Sequence, residues 1–164
     1  METFIEDFRR TIGLSAERLL ELSASESQTP RAQDKWSPRE IVGHLIDSAA
    51  NNHQRFVRAQ FTDDLVFSGY QQEEWVSLQQ YDQENWDQLV QLWKHYNLHL
   101  LHVMQNTPSE QLTKLRTKHN LHELAWQPVA VDQPTTLEYF MRDYVGHLKH
   151  HLRQILGADW LPQR

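Results

Sequence analysis

Apolar residues recur at helical spacing in four stretches of this chain, separated by polar segments marked with proline or glycine. In the first stretch, Glu2 to Ser23, residues Phe4, Ile5, Phe8, Ile12, Leu19, Leu20 and Leu22 gather largely on one side of a helical wheel. The run SASESQTPRAQDK, from Ser23 to Lys35, is polar, contains a proline and reads as a loop. A second helix starts at SPRE, where Ser37 is placed to cap, Pro38 suits the first helical position and Glu40 completes a capping box. Its apolar line through Ile41, Leu45, Ala49 and Phe56 carries it to Ala59 or Gln60. Residues 61–81 form a long connection, with a short helix expected around Glu73 to Leu78. The third helix, Glu84 to Gln105, sets Trp86, Leu89, Trp93, Tyr96, Leu100 and Val103 on one stripe. Pro108 then opens one or two turns, and residues 113–134 form another long connection with some extended structure. The fourth helix begins at TTLE, where Thr135 and Glu138 read as a second capping box, and runs to Leu156 with Gly157 as its stop.

Four amphipathic helices without a strand ladder indicate an all-α fold, a four-helix bundle with long 2–3 and 3–4 connections. At 164 residues the chain is expected to form one domain, residues 1–164, around a single core. No apolar run approaches the roughly 20 residues that span a bilayer, and the acidic start METFIEDFRR lacks a signal-peptide core, so a cytoplasmic protein is expected. A net charge of -6 without a basic run argues against nucleic-acid binding. The five glycines form no phosphate-binding pattern. The absence of cysteine removes disulfides, thiolate nucleophiles and cysteine-ligated zinc, so any metal site must use His, Asp or Glu.

The ten histidines change the picture. In GHLKHHLRQIL, His147 and His151 lie four apart, inside the stripe defined by Leu137, Phe140, Tyr144, Leu148 and Ile155, while His150 points about 100° away. A buried imidazole needs partners for its nitrogens. Two of them one turn apart are either separately satisfied core histidines or share a metal. On the second helix His44 lies on the shoulder of the apolar face, in line with Ser48, Asn51 and Arg55, with Asp47 beside it. A ligand from that facing helix completes a three-histidine site, the open arrangement of catalytic metals. A competing set, His95, His99 and His102, falls on a flank or solvent face of the third helix, and His53, His119 and His122 read as surface or loop residues, the last two able to border a cavity.

The segment KWSPREIVGHLIDSAANNHQRF, residues 35–56, resembles the second helix of the DinB-like family, most closely its YfiT branch of metal-dependent hydrolases. The stretch TLEYFMRDYVGHLKHHLRQI resembles the family's other signature, H-x-x-H-H followed by Gln or His and Ile. Tyr70 and Glu74-Trp75, after Gly69, are also similar to that branch. The resemblance covers most of the chain and implies a bundle of DinB/YfiT type, a divalent metal and often a homodimer. Carried over by residue, it implies His44, His147 and His151 as ligands. Gln154 departs from the branch, which can carry histidine there.

Such a site, holding Zn or Ni, implies a hydrolase of a small-molecule substrate with metal-activated water as nucleophile. The alternatives are a metal-dependent S-transferase using a low-molecular-weight thiol of the bacillithiol type, and a non-catalytic metal-binding stress-response protein. Asp47 is the candidate carboxylate near the metal, orienting a histidine or moving a proton. Asn51 and Arg55 are placed to touch an anionic substrate, Tyr144 to donate to an oxyanion, and Trp75 to shape the pocket mouth; each also has an ordinary structural reading.

Overall fold

A computed structural model describes residues 1–161. Its long helices are α1 (Glu2–Leu20), α3 (Pro38–Arg58), α5 (Trp86–Gln105) and α8 (Leu137–Leu156), with short helices α2 (Ala24–Gln28), α4 (Gln72–Gln79), α6 (Ser109–Thr113) and α7 (Leu121–Leu124) between them. The expected box at Ser37 is present: Glu40 Oε2 accepts from the Ser37 backbone N–H at 2.7 Å, and Pro38 follows in the first turn.

Contacts between the long helices fix the topology. Helix α5 runs antiparallel to α1, with Trp86 Nε1 donating to Leu19 O at 2.9 Å at one end and Arg9 meeting Gln105 at the other. It runs parallel to α3, since Arg39 donates to Glu84 O near both starts and His53 meets His99 further along. Helix α8 is antiparallel to α3, where His44 faces His147 and Phe56 faces Phe140. It is parallel to α1, where Arg142 lies over Phe4 and Lys149 pairs with Asp7. The bundle is therefore down-down in α3 and α5 and up-up in α1 and α8, and α1 and α3 sit diagonally. Parallel neighbours need a connection as long as the bundle, which is why the segment between α3 and α5 is long. Phe8, Ile12, Leu45, Phe56, Leu89, Trp93, Leu100 and Leu148 are fully buried between the helices.

Three details differ from the expectations. The first helix ends at Leu20, and the supposed loop opens with a short helix of its own, because Ser23 and Glu26 form a reciprocal capping box. The cap of α8 is Thr136, which accepts from Tyr139 N–H at 3.1 Å, rather than Thr135. Thr135 exchanges two backbone hydrogen bonds with Arg116, at 2.8 and 3.0 Å, and a second short bridge joins Leu65 to His119. These bridges are the extended structure expected between residues 113 and 134. Arg116, 1% exposed, ties this layer to the end of α3 by donating to Ala59 O.

Candidate metal centre

Helix α3 is packed against α5, α8, α4 and the turn at Tyr81–Gln83, so it has almost no solvent face in its first three turns. His44 is therefore fully buried, deeper than a shoulder position on the wheel suggests. Opposite it, α8 presents His147 and His151 from consecutive turns. The ligand nitrogens of the three histidines all lie within 4.8 Å of one another. His44 Nε2 and His147 Nε2 are 3.3 Å apart. Nitrogens held about 2.0–2.1 Å from one tetrahedral ion stand about 3.3–3.4 Å apart. One N–H···N bond can join only two of the three nitrogens, whereas a divalent ion accepts all three. The residues present fit such an ion.

The electrostatics agree. Burial, helped by His151, pushes the pKa of His44 down to about 3. Burial and the neighbouring imidazoles push His147 down to about 3 as well, and burial lowers His151. All three rings are neutral near pH 7, the form that ligates. Behind His151, Gln154 Oε1 accepts from Nδ1 at 2.9 Å, which leaves Nε2 as the free lone pair. Gln154 Nε2 reaches His150 Nε2 at 3.2 Å, so one amide orients two histidines. Trp36 lies against His44 at 5.1 Å between ring centroids.

His147 and His151 open into a cleft of about 760 Å³. Its α3 wall carries Ser48, Asn52 and Arg55, and its α8 wall Asp143, Tyr144 and His150. The α3–α5 connection supplies Phe67 and Tyr70, and the α5–α8 connection supplies Trp126. Trp126 rests on the face of α8 left open by Gly146, where an added Cβ would lie 3.0 Å from its ring. Asp143 fixes that loop by accepting the backbone N–H groups of Trp126 and Gln127 at 2.9 and 2.7 Å.

The other expected residues fall as follows. Asp47 is buried, and its Oδ1 accepts from Tyr81 at 2.7 Å and Gln79 at 2.8 Å; it makes no hydrogen bond to the cluster. Burial raises its pKa, against the pull of those two donors. Asn51 bonds back to Asp47 O, and its neighbour Asn52 takes the place in the cleft. Tyr144 is buried in the cleft wall with its hydroxyl given to Asn97 Oδ1 at 2.6 Å. Trp75 is 38% exposed, stacks obliquely on Tyr70 and does not line the cleft. His95, His99 and His102 are exposed, as their wheel position predicts. His119 is buried, because Nε2 donates to Gln133 O and Nδ1 accepts from Leu121 N–H, which pins the loop. Trp126 and Asn52 escape sequence reasoning as site residues, although Gly146 beside His147 hints at a close neighbour; Gln154, noted only as a departure from the YfiT branch, orients His151.

Three imidazoles converging between two helices of a bundle, at the inner end of an open cleft, define a metal-binding helical bundle. The chain belongs to the DinB superfamily, whose family model matches residues 7–155. Among solved structures it is similar to YfiT from Bacillus subtilis, described as a probable metal-dependent hydrolase with an unusual four-helix bundle topology. That likeness has a TM-score of 0.75 at 18% identity, covering 94% of this chain and 82% of the other. No curated protein matches the chain. Among the described residues no helix is long and apolar enough to cross a membrane.

Proposed function

We propose that the chain is a metal-dependent hydrolase, with His44, His147 and His151 holding a divalent ion, zinc or nickel. The observation that supports it best is the convergence of three neutral imidazoles beside a cleft large enough for a small-molecule substrate. A divalent ion held there supplies Lewis acidity and a nucleophilic water near neutral pH. The chain's own residues set the rest. His44 closes the site from behind, and Gln154 holds the tautomer of His151. Trp126, seated on Gly146, shields one side of the cleft, and Asp143 keeps that tryptophan in place. Ser48, Asn52 and Tyr70 offer hydrogen-bonding groups along the opposite wall.

A metal-dependent thiol transferase is the second reading, and a specific feature supports it. His151 borders a second pocket as well, of about 500 Å³, walled by Arg31, Lys35 and Trp36. Two pockets meeting at one ligand leave room for a thiol and an acceptor. The two readings separate in one experiment: metal-loaded protein is screened on aryl esters and amides with and without added low-molecular-weight thiols. Turnover without thiol is the expected result. Turnover only when a thiol is present rejects the hydrolase.

A further inference from the structure

Arg55 lies in the last turns of α3, facing the same cleft as the histidines but toward its far end. It is 6% exposed. Its Nη2 donates to Ser68 O at 2.7 Å and its Nη1 reaches Asn52 Oδ1 at 3.5 Å. Both partners are neutral. Among the described residues no carboxylate pairs with it. Of the two acids of the cleft, Asp143 accepts the Trp126 and Gln127 amides, and Glu123 is largely exposed and lies 3.4 Å from His122 Nε2. A guanidinium carries five N–H donors, and a buried cation without an anion is costly. Residues that bury an arginine for packing alone usually give it an acid or a full set of carbonyls. Arg116 in this same chain comes nearer the second arrangement, with Gln111 O, Lys114 O and Ala59 O around its two Nη atoms and only its Nε left over. Arg55 has one backbone carbonyl, one long bond to an amide oxygen and an open cleft.

Its position is set by helix geometry. His44, Ser48, Asn52 and Arg55 follow one another at intervals of three or four residues, so they form a row along α3. Eleven residues separate the first from the last, about 16 Å along the helix axis. Beside Arg55, Phe67 and Phe140 stack at 5.9 Å and Tyr144 completes an aromatic side to the cleft. The far end therefore holds one unpaired cation beside the half-buried Phe67, with Phe140 and Tyr144 buried behind it, and the near end holds the histidines.

From this arrangement we infer that Arg55 anchors the carboxylate of an elongated substrate that runs along the cleft past Phe67 and whose reacting group reaches the histidine cluster. The inference rests on the hydrolase reading for what happens at the histidines, but the anion anchor stands or falls separately. The substrate class it names is a chain-like carboxylic acid carrying an ester or amide several bonds from its acid group.

The test uses hexanoate and its neutral counterpart hexanamide as probes on the zinc-loaded protein. Binding is followed by calorimetry and by the Nε–H signal of Arg55 in a nitrogen-correlated spectrum. Hexanoate is expected to bind at least about tenfold more tightly than hexanamide and to shift the Arg55 signal. The preference is expected to vanish in Arg55→Met, to persist in part in Arg55→Lys, and to survive in His147→Ala. If loss of the Ser68 contact unfolds the variants, the Arg55 signal of the unaltered protein still decides. Equal binding of the two probes, or a hexanoate response lost in His147→Ala while the Arg55 signal stays still, overturns the anchor. A protein that takes up no zinc yet discriminates the probes rejects the hydrolase and keeps the anchor.

Discussion

Gly43, the first residue of GHLID, makes a sharp claim about how the site is supported. A Cβ added there would overlap Cδ2 and Cγ of the Tyr81 ring, so the ring cannot stay where it is in Gly43→Ala. Tyr81 is 5% exposed and donates to Asp47 Oδ1 at 2.7 Å. Displacing it takes one of two donors from a buried carboxylate, at about 1–3 kcal/mol. Forcing the ring aside costs about another 1–3 kcal/mol. Alanine returns about 1 kcal/mol through its helix propensity. The net loss is about 1–5 kcal/mol, or a fall in Tm of about 6–12 °C for the middle of that range at this chain length. Gly13→Ala in α1 is the control, since nothing lies within 4 Å of the added Cβ and only the propensity gain remains. Thermal and urea unfolding of both variants, metal-free, measure the contrast. In a Tyr81→Ala background Gly43→Ala should become neutral or stabilising. If Gly43→Ala matches Gly13→Ala in the otherwise unchanged protein, the Tyr81 contact does not support α3 and the reasoning fails.

Other consequences can be checked alongside it. Under the proposed site, His147→Ala should lose stoichiometric zinc in metal analysis of tag-free protein while His99→Ala keeps it; the reverse places the metal on α5. Gln154→Ala frees Nδ1 of His151 and should weaken zinc binding by about 10–100-fold in a competition titration, whereas an unchanged affinity means the amide orients nothing. For metal-free protein the pH dependence has a definite sign. His44 and His147 titrate near 3 in the fold and at 6.5 when unperturbed. Well above pH 6.5 neither state is protonated and stability is level; as the pH falls through 6.5 the unfolded chain takes up protons that the native chain refuses, so stability falls toward pH 3. Each histidine contributes a limiting slope of about 1.4 kcal/mol per pH unit. Urea unfolding between pH 7.5 and 5 measures it, and stability that stays level across that range contradicts the burial of these rings.

The sequence is most legible where a residue's neighbours are local. The capping box at Ser37, the stripe on α8 and the inward direction of His147 and His151 all follow from periodicity within a few turns. The depth of His44 does not, because α3 is covered on several sides and a wheel assumes one buried face. Asn51 and Asn52 differ by one position, about 100° of rotation, and the centre of a poorly defined face cannot separate them. Thr135 and Thr136 are equally good caps in isolation, and Arg116, 19 residues away, removes Thr135 from the choice. The box at Ser23 was present in the local pattern, yet the polarity of its surroundings hid a helix too short to show an apolar period. Trp126 reaches the cleft through a loop, and loop paths depend on contacts such as Asp143 that no spacing rule contains.

The parallel course of α3 and α5 also bears on how the protein is made. Helices α1, α3 and α5 can associate while later residues are still being synthesised, since each neighbours another of the three. His44 is then present without its partners for about a hundred residues of further elongation. Only when α8 emerges and docks between α1 and α3 do His147 and His151 arrive together. Under the proposed site, metal capture is thus tied to completion of the bundle, because a chain that ends before α8 carries one histidine of the set.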